Sequence, residues 1–167
     1  MMRLLLDTNL LKRVCYPKGN LDVKAWLQGW LDHAGRARNV DILISAVADY
    51  ELRRGYLSEL DRKDDERKAL QRLNQLGVEI GAQQVSARNF LDAAAMWARA
   101  RRAGKLTAGE RDVDWDILIA AQAKEMSEQA KGLSVVVVTS NTKHLQQHGA
   151  DAKDWHELPV PKDAPRA

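Results

Sequence analysis

Val135 to Val138 form an unbroken run of β-branched residues inside the stretch Leu133-Ser134-Val135-Val136-Val137-Val138. A strand with no polar face must be covered on both sides, as the interior strands of a parallel sheet are. Two other short apolar runs fit beside it, Arg3-Leu4-Leu5-Leu6 and Asp41-Ile42-Leu43-Ile44-Ser45. All three break off in polar residues: Asp7-Thr8-Asn9 after the first, Ser45 at the end of the second, and Thr139-Ser140-Asn141 after the third. In an open α/β sheet the carboxyl ends of the strands are where ligands bind.

The segments between these strands read as helices. Thr8 to Val14 form a short helix or turn, closed by the breaker cluster Tyr16-Pro17-Lys18-Gly19-Asn20. Leu21 to Arg38 carry Val23, Trp26, Leu27, Trp30 and Leu31 at helical spacing, with the two tryptophans suited to the core or to a dimer surface and less to a nucleobase. Ser45 is placed to cap a helix bearing Val47, Tyr50, Glu51 and Leu52. A charged stretch from Ser58 to Gln75 follows, and Leu57, Leu60, Leu70, Leu73 and Leu76 give it an apolar side. Gly77-Val78-Glu79-Ile80-Gly81 reads as a short strand between glycines. Ser86 caps a helix through Arg102 that turns Phe90, Leu91, Ala94, Trp97 and Ala98 inward, and Asp154 to Leu158 supply an edge strand. Alternating strands and helices of this kind predict a three-layer α/β/α sandwich around a central parallel sheet of four to five strands. The expected domain is 1–158, followed by a Pro-containing, frayed tail at 159–167.

With 167 residues the chain can bury roughly 70% of its unfolded surface without disulfide or structural metal. Its one cysteine, Cys15, is expected as a buried small hydrophobe. The apolar run after Arg3 is interrupted at Asp7 and no run is long enough to span a membrane, so no signal peptide and a cytoplasmic protein are expected. A net charge of +3 and a pI of about 9.1 suit a polyanionic substrate, although a solvated surface explains them equally well. Arg53, Arg54, Arg99, Arg101, Arg102 and Lys143 are the candidates for phosphate contact; those from Arg99 to Lys105 also suit a helix C-terminus.

Acids gather where the strands end. Asp7 follows the first strand, and Glu51 lies within about two helical turns of the second, where a rise of 1.5 Å per residue still lets it reach the sheet edge. Asp112, Asp114 and Asp116 stand at alternate positions before the apolar helix Ile117 to Ala123. One of them can serve as a cap. Converging carboxylates repel one another and need a hard cation to stay ionised, and oxygen ligands without His or Cys suit Mg2+ or Mn2+. Such a site performs metal-assisted phosphodiester hydrolysis. His33, His144, His148 and His156 lack ligand spacing and are not expected to act as general bases.

Taken in order, Leu6-Asp7-Thr8-Asn9, Ser45 with Glu51-Leu52, Asp116-Ile117-Leu118-Ile119-Ala120-Ala121 and Val138-Thr139-Ser140-Asn141 resemble the PIN domain nucleases, and among them the VapC-like toxins of bacterial toxin-antitoxin pairs. The resemblance covers nearly the whole chain. It implies a PIN-like fold and a Mg2+- or Mn2+-dependent ribonuclease with Asp7, Glu51 and Asp116 as central carboxylates. Asn141 stands where many members have a further Asp; Asp114 then supplies the missing charge, Asn141 holds a water or ligates directly, and Asp112 serves as a cap or outer group. Thr8, Asn9, Ser45 and Thr139 are expected to orient the carboxylates or metal waters. An RNA substrate, a cognate antitoxin and a homodimer formed through the Trp26 and Trp30 helix or the Leu57 to Leu76 segment are the implied partners. A stand-alone RNA-processing nuclease and a non-catalytic RNA- or protein-binding scaffold are the alternatives. An aspartyl-phosphate phosphatase is disfavoured because Asn9 stands where its second Asp is required, and a receiver domain because Ile80 to Gln84 holds no acceptor Asp.

Overall fold

The computed structural model describes residues 1–37, 39–59, 63–104, 114–129 and 132–161. Strands β1 (Met2–Leu6), β2 (Val40–Ser45), β3 (Ala82–Gln83), β4 (Ser134–Val138) and β5 (Ala152–Lys153) form one parallel sheet in the order β3-β2-β1-β4-β5. Helices α1 (Thr8–Cys15), α2 (Leu21–Ala37), α3 (Ala46–Glu59), α4 (Asp64–Ile80), α5 (Ala87–Arg102), α6 (Trp115–Gln129) and α7 (Thr142–Gln147) flank it. Leu4, Leu5 and Leu6 are each fully buried although successive side chains point to opposite faces, so β1 is covered on both sides. This is the expected α/β/α sandwich.

The register aligns the strand ends. Leu6 stands opposite Ile44 on one side and Val138 on the other. Asp7, Ser45 and Thr139 therefore emerge along one edge. The chain leaves β1 towards β2 on one side and reaches β4 later on the other, making the end of β1 the switch point of the sheet.

Three local expectations are corrected. Val78 to Ile80 belong to α4, not to a strand. Ala69, Leu73, Leu76 and Ile80 follow the helical period onto the core, and Gly81, at φ 75°, ends the helix and brings β3 beside β2. The edge strand lies earlier than expected, at Ala152–Lys153. Asp154 accepts from the backbone N–H of His156 at 3.0 Å and turns Trp155–Glu157 into a 3-10 helix. On α5 the inward residues are Asn89, Ala93, Met96 and Ala100, while Phe90 and Leu91 are 58% and 74% exposed and Ala94 also faces out. The buried Asn89 amide sets that rotation, donating to Glu125 Oε2 at 2.6 Å and to the Ala121 carbonyl at 3.3 Å. Trp26 and Trp30 are buried core, donating through Nε1 to the Leu158 carbonyl at 2.7 and 3.2 Å. They do not offer a surface to a partner or a base. Leu73 and Leu76 likewise face the chain's own core.

Cys15 is buried, and burial pushes its thiol up to about 12. Val160 packs against α2 at Gly29, so the chain is held to the core beyond Leu158. Residues 162–167 of the tail, Leu60, Lys105 and Asp112 lie outside the described residues. Among the described residues no helix is long and apolar enough to cross a membrane.

Candidate active site

Asp7 is the N-cap residue of α1, with its backbone carbonyl accepting from Leu11, yet its side chain makes no capping bond. The carboxylate instead accepts from the Thr139 hydroxyl, Oγ1 to Oδ2 at 2.7 Å, across the junction of β1 and β4. The same Thr139 oxygen accepts from the Asn141 backbone N–H at 2.9 Å, so one hydroxyl is spoken for in both directions. Only 2% of Asp7 is exposed. Burial pushes its carboxyl up to about 6; the Thr139 hydroxyl and the Thr8 backbone N–H oppose that rise, while the charges of Asp116 and Glu51 add to it.

Glu51, on the second turn of α3, is half-buried and accepts from the Thr8 hydroxyl at 2.7 Å. Asp116, on the first turn of α6, is also half-buried. Burial raises its carboxyl, with Asp114 and Glu51 adding to the rise and His144 opposing it. His144 Nδ1 lies 3.3 Å from Asp116 Oδ2 and 3.0 Å from Asn141 Nδ2. The three carboxylates thus come from three separate elements to one edge, near enough for Glu51 to add to the rise of both Asp7 and Asp116.

The remaining expected residues divide. Asp114 caps α6, its Oδ1 accepting from the Ile117 N–H at 3.2 Å, while also acting electrostatically on Asp116. Asn141 directs its amide to His144. Asn9 is exposed on α1. Ser45 turns away from the acids: fully buried, it donates to Gln122 Oε1 at 2.6 Å, and Gln122 in turn donates to the Gln83 carbonyl at 2.9 Å, tying β2, α6 and β3 together.

The basic residues also differ among themselves. Arg53 is committed to Asp49 at 2.8 and 3.0 Å and to Asn74 at 2.7 Å. Arg54 is exposed and lies 5.9 Å from the ring centroids of both Tyr50 and Trp115, which are 5.5 Å apart. Arg101 lies over Trp97 at 5.2 Å. Arg99, Arg102 and Lys143 are exposed.

His144 and Gln122 were missed by sequence reasoning. The spacing of Asn141 and His144, three apart at a helix start, places them on one face and is the signal for the first. Gln122 interrupts an otherwise apolar helix, and a lone amide there is a sign of an interior tie.

The donor set fits a divalent cation in chemistry: Asp7 and Asp116, raised by burial and by neighbouring acids, would be relieved by a positive charge, and Glu51 adds a further carboxylate. In the geometry described, these oxygens are turned to Thr139, Thr8 and His144, and among the described residues no group of three or more His, Cys, Asp or Glu is gathered as a metal cage.

No protein-family model and no curated protein matches the sequence. Solved structures do match. FitAcB from Neisseria gonorrhoeae is 24% identical with a TM-score of 0.66, over 93% of this chain and 99% of that one. VapBC-1 from nontypeable Haemophilus influenzae is 16% identical with a TM-score of 0.64, also over 93% and 99%. VapBC-5 from Mycobacterium tuberculosis, a member of the VapBC family of toxin-antitoxin systems, is 17% identical with a TM-score of 0.55, over 91% and 96%. A parallel sheet in the order β3-β2-β1-β4-β5, acids at its switch point and near-complete superposition on these chains give one conclusion: the protein has the PIN-like fold of the VapBC and FitAB structures.

Proposed function

We propose that this protein is a metal-dependent endoribonuclease and the toxin of a toxin-antitoxin pair. The observation that carries the reading is the convergence of three acids on one sheet edge: Asp7 buried at the switch point and held by Thr139, Glu51 held by the adjacent Thr8, and Asp116 close enough for its charge to act on Asp7. Asp7, Glu51 and Asp116 would hold Mg2+ or Mn2+, with Asp114 and Asn141 adding charge and a further oxygen. A divalent cation bound there supplies a Lewis acid that activates water and offsets charge on a phosphodiester.

The chain's own residues prepare the site. Thr139 and Thr8 fix the orientation of Asp7 and Glu51 through their hydroxyls. His144, held by Asn141, accompanies Asp116. Arg99, Arg102 and Lys143 give the surface cations that attract an RNA backbone. A cognate antitoxin is proposed as partner on the likeness to VapBC assemblies. A homodimer belongs to the same reading, with exposed Leu57, Phe90 and Leu91 as apolar surface to bury.

Cleavage of RNA by purified, antitoxin-free protein in Mg2+ or Mn2+, abolished by EDTA and by Asp7→Asn or Asp116→Asn, is the expected result. Equal cleavage in EDTA, or by both variants, overturns the nuclease mechanism. Growth arrest on induction, reversed by co-expressing a small neighbouring reading frame, tests the toxin role; normal growth despite soluble expression counts against it.

A further inference from the structure

Tyr50 and Trp115 are the residues immediately before Glu51 and Asp116, so consecutive Cα atoms about 3.8 Å apart tie this aromatic pair to the carboxylates. Their rings come from α3 and α6, stand 5.5 Å apart and are tilted by 49°. Arg54, one turn beyond Tyr50, places its guanidinium 5.9 Å from each ring centroid. Trp115 packs partly on the core, but Tyr50 is left 52% exposed even with Arg54 against it. A tyrosine kept half in water, braced by a tryptophan and bordered by a cation, forgoes apolar burial that a flat ligand would recover. The chemistry of that ligand is a π-face with negative charge beside it, which describes a nucleotide.

We propose that Tyr50, Trp115 and Arg54 form a stacking platform for an unpaired nucleobase of single-stranded RNA, flanking the phosphodiester presented to the carboxylates. Tyr50 offers its face to the base, Trp115 holds Tyr50 in place, and Arg54 meets an adjacent phosphate or the edge of the stack. A duplex, whose bases are already stacked, gains nothing from such a platform. This inference rests on the ribonuclease reading for its substrate, and it adds a requirement for unpaired bases at the cleavage point.

The test measures binding of a short fluorescein-labelled oligo(A), and of its duplex with oligo(U), by anisotropy in Mg2+, with Asp116→Asn as the background that suppresses cleavage. Tyr50→Leu keeps the charge constant and should weaken single-strand binding about tenfold, as loss of one stacked base does, with an unchanged salt slope and unchanged duplex binding. Tyr50→Phe should restore the affinity to within about twofold of Tyr50, because the stacking face is kept. Arg54→Gln should also weaken binding and lower the salt slope by about one. Thermal melts confirm that each variant is folded, and Arg54→Gln leaves both rings in place if Tyr50→Leu is not. Equal single-strand affinity in folded Tyr50→Leu, or an equal loss on duplex, overturns the platform. Wild-type cleavage unaffected by Tyr50→Leu would remove the platform and leave the nuclease standing. Single-strand binding that depends on Tyr50 without any cleavage by wild type would remove the nuclease and leave the platform.

Discussion

The Thr139 hydroxyl donates to Asp7 Oδ2 at 2.7 Å, joining the ends of β4 and β1 where the connections of the sheet diverge. Thr139→Val keeps the shape and removes that donor. A buried carboxylate left without it loses about 1–3 kcal/mol. The cost should be larger at pH 8, where Asp7 is ionised, than at pH 5, where it is largely protonated. Urea unfolding at the two pH values checks this, and an equal cost at both would show that Thr139 matters only as packing or through its bond from Asn141.

Asp7→Asn should stabilise the protein in EDTA. The folded carboxyl is pushed from 3.8 up to about 6, so the folded state binds the proton more tightly than the unfolded chain. Stability associated with Asp7 is therefore fully present below about pH 4 and is lost as pH rises through about 6. Above that the ionised group costs up to about 3 kcal/mol, which the neutral amide does not. The melting-temperature gain of the variant should appear at pH 7.5 and vanish near pH 4. Adding Mg2+ should raise the melting temperature of wild type and leave the variant nearly unmoved.

The sequence makes the strands and the acids legible for physical reasons that do not extend to the rest. Leu4 to Leu6 and Val135 to Val138 are apolar on both faces, and only a doubly covered strand satisfies them. Asp7, Glu51 and Asp116 followed because strand ends and helix starts fix where a side chain can reach. The face of α5 was not legible, since its orientation is set by the buried Asn89–Glu125 contact and not by its larger apolar residues. Val78 to Ile80 alternate like a strand, but Ile80 also continues the Leu73 and Leu76 stripe, and the longer period wins. The spacing of Asn141 and His144 marks one face of α7, but the contact of His144 with Asp116 joins α7 to α6 across β4, and no local pattern announces that tertiary pairing.

Asn141→Asp should tighten cation binding. Asn141 lies at the start of α7, its backbone bonded to Thr139 and its amide to His144, beside the Asp7 and Asp116 pair. A further negative charge there increases attraction for a divalent ion and, without one, adds repulsion to the Asp7 and Asp116 carboxyls, already raised by burial and by neighbouring acids. The half-saturating Mg2+ concentration in thermal-shift titrations should fall severalfold, while stability in EDTA at pH 7.5 should drop. If neither changes, Asn141 lies outside the electrostatic reach of the site.

Ser45→Ala separates support of the fold from support of the site. The Ser45 hydroxyl is fully buried, donates to Gln122 Oε1 at 2.6 Å and accepts weakly from the Ala48 N–H at 3.4 Å at the start of α3. Removing it strands the Gln122 oxygen in the interior and takes away a cap, for about 1–3 kcal/mol of stability. Glu51 sits on the same helix but is held by Thr8, through a contact that Ser45 does not touch. Ser45→Ala should therefore lower the unfolding midpoint in urea while the Mg2+ dependence of the folded protein stays as in wild type. Thr8→Val should do the reverse, weakening Mg2+ binding with a smaller stability loss, because its hydroxyl serves a half-buried carboxylate that water can still reach. If Ser45→Ala shifts the Mg2+ titration as strongly as Thr8→Val does, the Ser45–Gln122–Gln83 tie positions Glu51 as well as the sheet.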